Sequence, residues 1–262
     1  MKSKIFFGIS TVLFLVLFGS PLFAQKLHVN DRWDECSLVL DPSLTQEAWH
    51  QFTGEGGQLV SFRPLSSAKP LGVKNFEIAI LDWGTGIDDA DDAWNDTFSH
   101  PDSAHTLFDG NSLQFPGLMF RIGVTDRIDI GAYFTKNPSA NYGFYGGQLQ
   151  YNLLNDSEKN LATAVRLNFT TSFGPEDLKI TVYGLDFIAS KDVFKRFSPY
   201  VVVSGYLSRA QETTSKVDLE NENVFGLQAT VGTAVEVSVL RFGAEMSFGK
   251  VSGFAFKLAY AR

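Results

Sequence analysis

The C-terminal stretch 253–262, GFAFKLAYAR, decides the fold. Phe254, Phe256, Leu258 and Tyr260 fall on one side of an extended chain, and Ala255, Lys257, Ala259 and Ala261 on the other. Successive side chains of a β-strand point to opposite faces, so a period of two is a strand period. Working back towards the N-terminus, the same alternation predicts strands over 73–82, 115–124, 127–136, 142–154, 160–172, 178–190, 199–210, 223–234, 239–248 and 251–261. In 239–248, Leu240, Phe242, Ala244, Met246 and Phe248 oppose Arg241, Gly243, Glu245 and Ser247. In 161–170, Leu161, Thr163, Val165, Leu167 and Phe169 oppose Arg166 and Asn168. Segment 199–210, PYVVVSGYLSRA, is weaker, because three consecutive valines declare no face.

The other end of the chain says where such strands would sit. Lys2 and Lys4 precede an apolar run over 5–18, and SPLFA leads to a cut after Ala24, so residues 1–24 read as a cleaved signal peptide. A run of this length is short of the roughly 20 residues that span a bilayer as a helix. The single cysteine, Cys36, allows no internal disulfide and lies too late for a lipoprotein anchor. Mean hydropathy is −0.02, which looks soluble. A membrane barrel resolves the conflict, because only alternate residues meet lipid and the average cancels.

The expected fold is therefore all-β: a transmembrane antiparallel up-and-down β-barrel of about ten strands, spanning 73–262, in the cell outer membrane. Ten is even, as a barrel with both ends on one side requires, and both termini are expected in the periplasm. The two longest connections, 83–114 and 211–222, then fall together at the opposite, extracellular end. The competitor is a secreted soluble β-barrel binding protein, whose polar face would carry charges freely. Here the polar faces favour Gly, Gln, Asn, Ser and Thr.

Residues 25–72 lack the alternation. LTQEAWHQF, 44–52, predicts a short helix ended by Gly54, Gly56 and Gly57, with Trp49 and Phe52 on one face. This segment is expected either to sit in the periplasm or to fold into the lumen as a plug.

Chemistry is sparse. SHPDSAH, 99–105, places His100, Asp102 and His105 close together, a weak metal set without zinc-site spacing. The run IDDADDAWND, 87–96, reads as a solvated acidic loop. Inward charges are more informative: Arg121, Arg166, Arg241 and Lys257 are expected to pair across the lumen with Glu77, Asp129, Asp186 and Glu245. They would either fill a narrow lumen or line a path for a small polar solute. No phosphate loop, paired-cysteine site or nucleophile elbow is present, so neither a catalytic residue nor a cofactor is assigned. A net charge of −7 argues against nucleic acid.

From VKNFEIAILDW (73–83) through GFAFKLAYAR, the chain resembles Gram-negative outer-membrane β-barrel proteins. SLTQEAWHQF and SFRPLSSAKPLG ahead of VKNFEIAI are similar to an uncharacterised group with a short helix before the barrel. The resemblance implies outer-membrane lipid and the barrel-assembly machinery as partners. It implies a narrow channel, a small-solute transporter or a structural surface component. An outer-membrane hydrolase, with its site at the extracellular rim, is the alternative. The family usually ends in an aromatic residue, whereas here Tyr260 stands two positions early.

Overall fold

The computed structural model describes residues 37–63, 65–88, 91–99, 112–136, 140–194 and 196–262. The expected signal peptide and Cys36 lie outside the described residues. In chain order the elements are β1 (Ser37–Leu38), α1 (Gln46–Val60), β2 (Phe76–Gly86), α2 (Asp92–Asn95), β3 (Phe98–Ser99), β4 (Ser112–Gly123), β5 (Ile128–Lys136) and β6 (Gly143–Asp156). They continue with β7 (Leu161–Phe173), β8 (Leu178–Lys191), β9 (Phe197–Glu212), β10 (Glu222–Val237), β11 (Leu240–Phe248) and β12 (Gly253–Ala261).

Ten of these strands close a barrel in the order β2-β4-β5-β6-β7-β8-β9-β10-β11-β12. The ring shuts where β12 pairs antiparallel with β2, from Gly253 opposite Thr85 to Ala261 opposite Glu77. Closure removes the unpaired edge that lipid could not solvate. Each expected strand is present, with ends moved by a few residues. β2 starts at Phe76 rather than 73 because a turn precedes it: Gly72 and Lys74 take positive φ, and the Asn75 amide donates to the Gly72 carbonyl at 3.2 Å.

The alternation sorts the two faces. Leu118, Leu167, Leu185, Val203 and Phe225 are more than half exposed on the outer wall, while Arg121, Arg166, Asp186 and Glu245 are buried inside. A lipid-facing Arg at mid-bilayer would cost about 2–4 kcal/mol, which sets the direction of the sorting. β9, undeclared in sequence, presents Val201 and Val203 outward and Val202 inward. Tyr200 and Tyr206 mark its inner row, as both are buried.

The barrel has two unlike rims. At the near rim β2 begins beside the C-terminus, with the Phe76 amide donating to the Arg262 carbonyl at 2.7 Å. The connections here are short: 124–127, 157–160, 192–196 and 238–239. The far rim carries 87–111 and 213–221, the two longest connections.

Residues 37–72 run through the lumen from the far rim to the near rim. The Leu38 amide bonds Asn141 Oδ1 at 2.9 Å and the Trp49 indole N–H bonds the Glu220 carbonyl at 3.1 Å, both at the far rim. The Tyr206 hydroxyl donates to the Gly54 carbonyl at 3.0 Å halfway along. The Ala68 amide reaches Ser190 Oγ at 3.1 Å, and the Leu71 amide meets both oxygens of Asp129 at 3.1 Å, near the other end. The chain at residue 37 therefore stands at the opposite end from Arg262. Of the two places expected for the segment before the first strand, periplasm or lumen, residues 37–72 take the lumen. The physical reason is burial: Trp49, Phe52, Leu59 and Val60 are almost fully covered in the lumen, each worth about 1.5–3 kcal/mol.

The helix is also longer than the expected 44–52. Thr45 caps it, its hydroxyl accepting from the Ala48 amide at 3.2 Å. It then continues through Gly54, Gly56 and Gly57 to Val60. Glycine costs a helix interior about 1 kcal/mol, so sequence predicts a stop. The wall reverses that preference: a Cβ on Gly57 would lie 2.3 Å from the Ser208 Cβ.

Candidate functional site

The lumen is layered along its axis. Towards the far rim, one face of α1 carries Trp49 and Phe52, stacked with centroids 5.6 Å apart. Phe52 meets Trp94 edge-on at 5.1 Å. On the wall, Trp83 stacks on Phe115 at 5.4 Å and meets Tyr133 at 5.7 Å. Trp94 comes from the acidic run that reads in sequence as a solvated loop. In the structure it is buried, its indole N–H donating to Glu55 Oε2 at 2.6 Å. Asp91 caps α2 and accepts from Gln51 at 2.6 Å, so this run forms a lid over α1.

At mid-lumen the groups become polar. Arg166 Nε donates to Asp186 Oδ2 at 2.7 Å, and Asn168 donates to the same oxygen at 2.8 Å. The Arg166 guanidinium also lies 5.0 Å over the Phe62 ring. Glu245 Oε2 accepts from the Leu65 amide at 2.9 Å and from the Tyr200 hydroxyl at 2.8 Å. Arg63 is buried beside them, donating to the Gln58 carbonyl at 3.3 Å. Around this layer, both amide atoms of Gln148 and Gln150, Asn168 Oδ1, Arg63 Nη1 and Glu245 Oε1 find no protein partner among the described residues.

Near the other rim lies the ionic layer. Lys257 Nζ bonds Glu77 Oε1 at 2.7 Å, Arg241 Nη1 approaches Glu77 Oε2 at 3.5 Å, and Arg121 Nη1 approaches Glu77 Oε1 at 3.9 Å. Arg121 Nη2 bonds Asp129 at 3.1 Å. Beside them a cavity of about 180 Å³ is lined by Ser66, Lys69, Glu77, Arg121, Arg196, Arg241 and Lys257 among others. A larger crevice, about 480 Å³, lies along Ile80, Phe242, Ala244, Phe256 and Leu258. Its lining belongs mainly to the outward rows, where acyl chains would fill it, so the chemistry is placed in the smaller one.

The eight predicted lumen residues, Glu77, Arg121, Asp129, Arg166, Asp186, Arg241, Glu245 and Lys257, all sit on the inner face, Arg241 partly exposed. Their pairing differs from the expectation of bridges across the lumen. Arg166 and Asp186 are direct cross-strand neighbours on β7 and β8, and Arg121 and Asp129 lie on adjacent β4 and β5. Lys257 and Glu77 lie on adjacent β12 and β2. Glu245 turns to the threaded segment instead of a barrel cation. The reason is occupancy, since residues 37–72 fill the centre that such bridges would cross. His100, Asp102 and His105 lie outside the described residues. His50 is tied to Glu222 at 2.8 Å at the far rim.

Sequence reasoning missed Arg63, Lys69, Tyr200 and Arg196. A signal existed for Arg63: it is the sole cation between Trp33 and Ala68, set in the apolar stretch LVSFRPL. Arg196 belongs to a turn whose role depends on which rim it occupies.

No protein-family model matches this chain, and no curated protein matches it either. Solved structures with a similar fold include outer-membrane proteins and a de novo designed transmembrane β-barrel. The COG4313 outer membrane channel from Pseudomonas putida F1 is 11% identical, covering 77% of this chain and 99% of that one, with a TM-score of 0.45. LpxR from Salmonella typhimurium is 10% identical over 70% of this chain and 99% of its own, with a TM-score of 0.39. Ail, the attachment invasion locus protein of Yersinia pestis, is 11% identical over 72% and 99%, with a TM-score of 0.30. A fold of this kind selects no activity by itself.

Proposed function

We propose that this chain is an outer-membrane conduit for small polar solutes, non-enzymatic and closed at rest by its own residues 37–72. The near rim faces the periplasm, in keeping with the short turns there and the long connections at the other end. The observation that carries the reading is the belt of unpartnered amide and guanidinium atoms at Gln148, Gln150, Asn168 and Arg63. Buried polar groups are paired as a rule, and a wall meant only to be filled would pair them. Such a belt suits water or a passing polar solute. The hydrogen bonds of the threaded segment to this part of the wall include those from the Leu65 amide to Glu245, the Ala68 amide to Ser190, the Ser61 hydroxyl to Gln228 and Asn152 to the Ala68 carbonyl. Water can replace each of these at a net cost of about 0.5–1.5 kcal/mol, or up to about 3 where the acceptor is charged.

The test is conductance in planar bilayers, comparing the full chain with a deletion of 37–72. A band in the outer-membrane fraction that shifts on boiling first confirms that both are folded barrels. The full chain should show low conductance and the deletion clear open steps. Equal conductance in the two would remove the conduit reading and favour a sealed structural barrel.

A further inference from the structure

We infer that the near-rim cavity of about 180 Å³ is a binding site for one small oxyanion, a phosphate or carboxylate group. The argument starts from local charge. Glu77, 1% exposed, is a single carboxylate approached by three cations, Lys257, Arg241 and Arg121. Asp129 bonds Arg121 and Glu236 bonds Arg241 at 3.1 Å, so these three cations meet three carboxylates. The other acid on the wall of the cavity, Asp192, is already engaged by Lys69. Arg196, which also lines the cavity, has no ion-pair partner among the described residues. With Asp129 behind Arg121 counted, five cations therefore stand against four carboxylates, and the charge in excess is that of Arg196.

Two further observations point the same way. Arg121 is 2% exposed and its Nε–H has no partner among the described residues, so a donor is buried here and left unused by them. A guanidinium fork matches the planar or tetrahedral oxygens of an oxyanion. Size fits as well: at ~30 Å³ per water the cavity holds about six waters, or one phosphate with part of its hydration shell. Lys69 and the Ser66 hydroxyl add donors from the threaded segment, so an anion here would touch both wall and segment.

The site is read out by binding and not by conduction, so a barrel that never conducts leaves it standing. The experiment is isothermal titration of the full chain in non-ionic detergent at fixed ionic strength. Inorganic phosphate and succinate are the two probes, distinguishing phosphate from carboxylate recognition. Saturable one-to-one binding of at least one probe is expected. Arg196→Ala, an exposed position whose loss should not disturb folding, should weaken it about tenfold, the loss of one charge-assisted contact. Arg196→Lys should keep most of the affinity, and Lys250→Ala at the far rim should change nothing. Arg241→Ala, checked for the boiling shift, gives a second reading. No saturable binding by either probe, or an affinity unchanged in both alanine variants, overturns the inference.

Discussion

In the far half of the lumen Trp49, Phe52 and Trp94 pack ring against ring, and Trp83 stacks on Phe115, with centroids 5.1–5.6 Å apart. In the near half Glu77, Arg121, Asp129, Arg241 and Lys257 hold one another by charge around a cavity. Both halves belong to the same strands and the same threaded segment, yet they solve the filling problem differently. Aromatic rings need only close contact, so they can pack to a dry seal. Buried charges need directed partners, and where the count of cations and acids is unequal they need water or a solute as well. A barrel with one half of each kind resembles a stopper above a vestibule.

The largest effect on that contrast should come from Trp49→Ala combined with Phe52→Ala. Each truncation of a buried aromatic costs about 3–5 kcal/mol. The unboiled band should convert at a clearly lower temperature, and far-rim indole fluorescence should become quenchable by acrylamide. An unaltered transition would mean that the rings are not the seal.

A smaller loss is expected from Asp186→Ala, which strands the fully buried Arg166 without its carboxylate. Leaving a buried charge unpaired costs about 3–5 kcal/mol, whereas replacing both partners by apolar residues is often close to neutral. Urea unfolding should show the single variant destabilised and Asp186→Ala with Arg166→Met largely restored. If the double variant is the worse of the two, the pair is held by more than charge balance.

Gly57→Ala should give the smallest change. Its Cβ would fall 2.4 Å from Ser208 Oγ, an overpacking that costs about 1–3 kcal/mol. Ser208→Gly should relieve it, measured by the same unfolding curve. A stabilised Gly57→Ala would show that the helix does not press on the wall there.

How far these features could be read in advance follows from the kind of signal each one leaves. Strand β11 was readable because Leu240, Phe242, Met246 and Phe248 must meet lipid while Glu245 must not, and each rule acts on one residue at a time. The inner position of Arg166 and Asp186 follows from the same rule, and so does the absence of a declared face at Val201–Val202–Val203. The length of α1 was not readable. Gly54, Gly56 and Gly57 speak against a helix locally, and only the approach of Ser208, some 150 residues later in sequence, makes them the right residues. Trp94 was hidden in the same way: an acidic run looks solvated until its tryptophan is seen under α1.

The sequence by itself determined the period of two, the inward turn of the lumen charges such as Arg121, Arg166, Asp186 and Glu245, and the unequal connections at the two ends. These are consequences of transferring side chains between water and lipid, and such transfer depends on residue type and position parity alone. Only the tertiary structure decided that residues 37–72 occupy the lumen, that charges pair along the wall, and that a cationic cavity remains at the near rim. Those depend on which distant groups share one confined space once the ring closes, and spacing along the chain carries no record of it.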